Sequence, residues 1–128
     1  MNVIQTPTAP AAIGPYSQGI AVNGLLFVSG QLPLDPATGA FAASDAAGQM
    51  RQCLANLSAI ATAAGTDLAH CVKTTIFLTD LSAFAEVNAV YAEAFPAPCP
   101  ARSTIEVSAL PKGALVEVEA VIALQDRS

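Results

Sequence analysis

The sequence is 128 residues long, 53% hydrophobic and only 12% charged, with a formal net charge of -5. That is enough chain for one domain with a real core. It holds too few charges to cover its own surface, so some apolar surface is expected to be buried between identical subunits. The basic residues Arg51, Lys73, Arg102, Lys112 and Arg127 are scattered along the chain, so the clustered cations of a nucleic-acid-binding face are not expected.

The segment MNVIQTPTAPAAIG has no basic region followed by an apolar one, and Pro7 and Pro10 interrupt it. A secretory leader is therefore not expected, and no apolar run approaches the roughly 20 residues of a membrane-spanning helix. Cys53, Cys71 and Cys99 are odd in number and widely separated, which is neither a disulfide framework nor a metal-ligand spacing. A reduced cytoplasmic setting is the expectation.

The apolar, β-prone run Ile20 to Ser29 has Asn23-Gly24 at its centre. That pair favours a two-residue turn and predicts an antiparallel hairpin. Leu34 to Gly39 reads as an exposed turn. Asp45 is a candidate N-cap for a helix ending near Gly65, with Met50, Leu54, Leu57, Ala61 and Ala64 as its buried stripe. Cys71 to Leu78 reads as a strand. A second helix starts near Ser82, with Phe84, Val87, Tyr91, Ala94 and Phe95 as its stripe, and the stretch Pro96 to Pro100 ends it. Two more strands follow, Arg102 to Val107 and Leu115 to Leu124. Interspersed helices and strands behind a hairpin predict an α+β domain of 1–128: one sheet with two helices on a single face.

Few residues could carry chemistry. Strand alternation puts Arg102, Thr104 and Glu106 on one face, with Ser103, Ile105 and Val107 on the other. Arg102 is either a surface arginine in a weak ion pair or a fork for a substrate carboxylate. Glu117 and Glu119 share one face of the last strand. They mark either a wet face or a cleft in which one of them orients water as a general base. Asn88 interrupts the second helix's stripe, as a core residue bonded to backbone or as an amide presented to a ligand. Ser29-Gly30 and Gly14-Pro15-Tyr16-Ser17 are turn signals that could also admit a ligand close to backbone. His70 is expected to be a structural or surface residue, and it would point away from Cys71 if both lay in a strand. No GxSxG, Walker A, GxGxxG or metal-ligand motif is present in the sequence, and no cofactor is expected.

Several stretches resemble the Rid (YjgF) family of reactive intermediate deaminases, in order and along nearly the whole chain. They are Thr6-Pro7-Thr8-Ala9-Pro10, Ile13-Gly14-Pro15-Tyr16-Ser17-Gln18, Leu26 to Gly39, Ala64-Gly65, Val72 to Leu78, Phe84 to Tyr91, Pro100-Ala101-Arg102-Ser103, and Ala109 to Gly113 through Val116 to Ala120. The resemblance implies a chorismate-mutase-like α+β fold with a mixed, mainly antiparallel sheet. It also implies a homotrimer with sites in the clefts between subunits.

For activity, the resemblance implies hydrolysis of 2-iminopropanoate and 2-iminobutanoate to 2-keto acids and ammonia. Arg102 would bind the carboxylate and Glu117 would activate water. Tyr16, Ser29 and Asn88 would line the pocket, and Thr104 would hold backbone at the substrate. Many relatives carry cysteine where Thr104 stands and an aromatic residue where Cys99 stands, which rules out a catalytic thiol at position 104. The alternatives are a 2-keto-acid-binding regulatory module, the endoribonuclease or translation-inhibitor activity attributed to some relatives, and a holdase chaperone.

Overall fold

The computed structural model describes residues 1–124, so Arg127 lies outside the described residues. Its elements are β1 (Asn2–Ile4), β2 (Gly19–Val22), β3 (Leu25–Gln31), α1 (Ala46–Ala63), β4 (Cys71–Leu78), α2 (Phe84–Ala94), β5 (Ala101–Glu106) and β6 (Val116–Ala123). The six strands form one sheet in the order β1-β2-β3-β6-β4-β5. Every neighbouring pair is antiparallel except β4 and β5, whose parallel pairing needs the α2 crossover between them. The expected mixed, mainly antiparallel α+β domain is what forms.

The β2–β3 hairpin follows from its turn. Asn23 (φ 51) and Gly24 (φ 76) are both left-handed, as a two-residue turn that matches strand twist requires. Of the expected α1 stripe, Met50, Leu54, Leu57 and Ala61 are buried, while Ala64, at the C-cap, is only partly so. Each large apolar side chain removed from water in this way contributes about 1.5–3 kcal/mol. Both helices pack against each other, and α1 covers β3 and β6. Val116, Val118, Ala120 and Ile122 of β6, with Ile76 and Leu78 of β4, face this layer and are buried. Among the described residues the other face of the sheet carries no α-helix.

The structure corrects three details. Asp45 stands at the α1 N-cap with extended backbone, yet its side chain makes no capping hydrogen bond. Its Oδ1 lies instead over Gly48, 2.7 Å from where a Cβ would sit, and only its main-chain carbonyl accepts from Gln49 N, at 2.9 Å. His70 ends a short 3₁₀ turn (Leu68–His70) rather than lying in a strand, and its Nδ1 pairs with Asp67 Oδ1 at 2.7 Å. The turn after β3 is only partly exposed. Leu34 is buried and bridges to Phe41, while the buried Asn56 donates to the Leu32 and Leu34 carbonyls at 3.0 Å each.

Candidate active site

The candidate residues fall into two groups. Arg102 lies on the edge strand β5 in register with Thr74 of β4. Thr74 is fully buried against α2, where its hydroxyl hydrogen-bonds the Tyr91 hydroxyl at 2.7 Å. Residues in register point the same way, so the Arg102 side chain lies along α2. There Nη1 donates to Asn88 Oδ1 at 2.6 Å. The guanidinium carbon sits 4.8 Å from the centre of the Tyr91 ring and 5.5 Å from that of Phe84. Phe84, Asn88 and Tyr91 share one face of α2 because their spacings are four and three.

Asn88 is half-buried and bonded to a side chain, so of the two alternatives its place in the stripe allowed, the core asparagine bonded to backbone is not the one that forms. Thr104 follows Arg102 on the same face. Its Oγ1 is buried and has no hydrogen-bond partner among the described residues.

The second group stands on the helix-free face. Val116 and Val118 point into the core, so alternation turns Glu117 and Glu119 outward together. Glu117 lies over the backbone of Gly30: a Cβ there would come within 2.8 Å of Glu117 Oε2. Glycine is therefore what lets the carboxyl approach the β3 chain. Tyr16, Ser29, Gly30, Lys112, Glu117 and Glu119 line one open cavity of about 700 Å³.

Beside Tyr16 the chain is pinned by Gln18, another residue of the cavity wall. That buried side chain donates to the carbonyls of Thr6, Ala9 and Pro10 and accepts from Thr6 N. The Ser29 hydroxyl is already engaged with the Ser17 carbonyl. Burial, and then the charge of Glu119, push the Glu117 carboxyl above the usual carboxylate range. Burial likewise raises Cys71 to about 11 and Cys53 further still, so neither thiol is a nucleophile at neutral pH. Among the described residues no three His, Cys, Asp or Glu side chains cluster as metal ligands would.

The sheet keeps the two groups apart. Arg102 is in register with Thr74, and Thr74 with Ala120. Glu117 is three residues further along β6, two strands away from β5. Strand spacings make this roughly 14 Å between backbone positions, with the side chains on opposite faces. A four-carbon acid is shorter than that gap. One chain therefore carries the candidate residues in two separate groups, on opposite faces of its sheet.

The comparisons with known proteins agree with this fold. The chain is 63% identical over 121 residues to the RutC family protein y4sK of Sinorhizobium fredii, covering 94% of this chain and 96% of that one. It is 50% identical over 123 residues to the 2-iminobutanoate/2-iminopropanoate deaminase of Salmonella typhimurium, covering 94% and 95%. Among solved structures, E. coli TdcF with bound serine superposes with a TM-score of 0.91 at 40% identity, covering 98% of this chain and all of that one. Residues 6–124 match the family described as Endoribonuclease L-PSP, and the chain belongs to that family, the Rid (YjgF) family its motifs resemble.

Proposed function

We propose that this protein hydrolyses 2-imino acids such as 2-iminopropanoate and 2-iminobutanoate to 2-keto acids and ammonia, in clefts between the subunits of a homotrimer. The observation that carries this reading is the pairing of complementary half-sites on one chain. One is an arginine fork with no carboxylate partner among the described residues; the other is a carboxyl held above its usual range. Relatives bearing the deaminase name support it, and so does the serine-bound relative, since serine presents a carboxylate beside an amino-bearing carbon.

In this reading Arg102 of one subunit holds the substrate carboxylate through charge-assisted hydrogen bonds. Glu117 of the neighbouring subunit accepts a proton from water as the water oxygen attacks C2 of the imine. The resulting carbinolamine carries nitrogen and hydroxyl on the same carbon. Glu117 returns that proton to nitrogen, giving the neutral carbinolamine; it then takes the hydroxyl proton and passes it to nitrogen as the C=O forms and the C–N bond breaks, so that ammonia leaves with the keto acid. A raised carboxyl suits both steps, because a base whose pKa approaches the working pH can also give the proton back.

Tyr16 and Ser29 wall the Glu117 side; Asn88 and Thr104 stand with Arg102. The uncovered sheet face supports the subunit contact. Phe27 (45% exposed) and Ile105 (44%) stand on it, with Val121 and Phe77, and large apolar patches of this kind usually meet another surface. RNA as substrate is disfavoured: the chain is acidic overall, and its few cations Arg51, Lys73, Arg102 and Lys112 are spread over α1, β4, β5 and the Pro111–Gly113 turn. A cytoplasmic setting and a role in clearing reactive intermediates go with this reading.

The experiment is to generate 2-iminobutanoate enzymatically, trap what remains with semicarbazide, and measure ammonia. Faster loss of the semicarbazone signal with stoichiometric ammonia supports the reading; saturable 2-oxobutanoate binding without turnover would replace it by the regulatory module.

A further inference from the structure

Arg102 is unusual in the neutrality of its surroundings. The chain has ten acidic residues against five basic ones, so an arginine has many carboxylates to choose from. Yet among the described residues no carboxylate lies within ion-pair distance of it. Its partners are the amide oxygen of Asn88 and the rings of Tyr91 and Phe84. Aromatic faces within about 6 Å attract a guanidinium through their quadrupoles but leave its net charge intact. An amide oxygen does the same through one N–H.

We propose that Phe84 and Tyr91 are positioning residues that set the Arg102 fork before a ligand arrives and keep its charge free for an anion. The proposal rests on the reading of Arg102 as carboxylate anchor.

Tyr91 supplies the rigid part. It is buried, its hydroxyl is tied to Thr74, and its ring packs on Phe95 with centroids 4.4 Å apart. Phe84 supplies the outer part. It opens α2, is 36% exposed, and follows a 3₁₀ turn whose Asp80 carboxylate accepts from Ser82 N at 2.9 Å. With Asn88 between them, the face of α2 engages one N–H and sets two rings against the guanidinium, and the other guanidinium N–H groups have no hydrogen-bond partner among the described residues. An arginine loses much rotamer freedom when a ligand fixes it. Where the protein has already fixed it, that loss does not fall on binding. The effect therefore belongs to KM and ligand affinity rather than to kcat.

The test is a double-mutant cycle of Phe84→Leu and Arg102→Ala in the intact protein, with Phe84→Tyr as the conservative variant. It is read by kcat and KM on 2-iminobutanoate and by the Kd of 2-oxobutanoate. Phe84→Leu is expected to raise KM and Kd about threefold to tenfold, with kcat within about twofold, and Phe84→Tyr to restore both. On the Arg102→Ala background Phe84→Leu should add nothing, a coupling that a merely structural role would not produce. Tyr91→Phe frees the ring from Thr74 and is expected to raise KM as well as lower Tm.

Equal losses on both backgrounds, or unchanged KM and Kd in Phe84→Leu, overturn the proposal and leave the deaminase reading standing. If the wild type leaves 2-iminobutanoate untouched, the deaminase reading falls and the 2-oxobutanoate cycle alone decides the positioning role. A wild type that binds 2-oxobutanoate no better than Arg102→Ala then overturns it too.

Discussion

Replacing Arg102 with alanine removes the fork while leaving the core alone, because the residue is an exposed member of the edge strand β5 and bonds to one side chain, Asn88. A carboxylate held by two charge-assisted hydrogen bonds at about 1.5 kcal/mol each, the low end for an exposed group, loses about 3 kcal/mol. That is roughly a 10²-fold fall in kcat/KM. Lysine in its place keeps the charge but offers a point donor where a planar fork lies across Asn88 and two rings, so it should recover about tenfold at most. The assay is initial-rate hydrolysis of 2-iminobutanoate, with melting temperature as the control for folding. Wild-type kcat/KM in an Arg102→Ala protein that melts like the wild type would refute the assignment.

Glu117→Gln should lower kcat about 10²-fold or more with little change in KM, and Glu119→Gln should move the acidic limb of the pH–rate profile toward lower pH by removing a like charge. Because burial raises Glu117 in the folded state, its contribution favours folding below the unfolded pKa and is lost as pH rises through the folded one. Glu117→Gln should therefore melt higher than wild type at pH 8 and alike at pH 3, which calorimetry would show. Gly30→Ala places a methyl within 2.8 Å of Glu117 Oε2 and should cut kcat about tenfold or more by displacing the base, read from kcat and KM together. Asn56→Ala leaves the Leu32 and Leu34 carbonyls without their buried donor and should cost about 2–4 kcal/mol in denaturant unfolding.

The elements set by local chemistry were legible in the sequence. The Asn23-Gly24 hairpin, the α1 stripe from Met50 to Ala61 and the outward pair Glu117 and Glu119 all follow from short-range period or turn preference. β1 was not legible: Asn2–Ile4 is three residues long, and only its pairing with β2 makes it a strand. The Asp45 cap failed because its carboxylate settles over the backbone of Gly48, an approach that no cap pattern encodes.

The candidate residues could be named from the sequence, but their arrangement in the fold could not. Arg102 and Glu117 separate because β4 lies between β5 and β6, and strand order depends on long-range pairing. Phe84 and Tyr91 carried a signal in their spacing around Asn88, but the stripe read as core, since nothing local shows that an arginine from a later strand will lie across it.

The most direct test of the account is to mix its two half-sites. Arg102→Ala and Glu117→Gln, each inactive alone, would be unfolded together and refolded, or coexpressed. If each site takes Arg102 from one subunit and Glu117 from the next, random trimers restore about a quarter of the sites, and activity on 2-iminobutanoate should return to about that fraction of wild type. Mixed assemblies that form but stay as inactive as their parents would contradict a site shared between subunits.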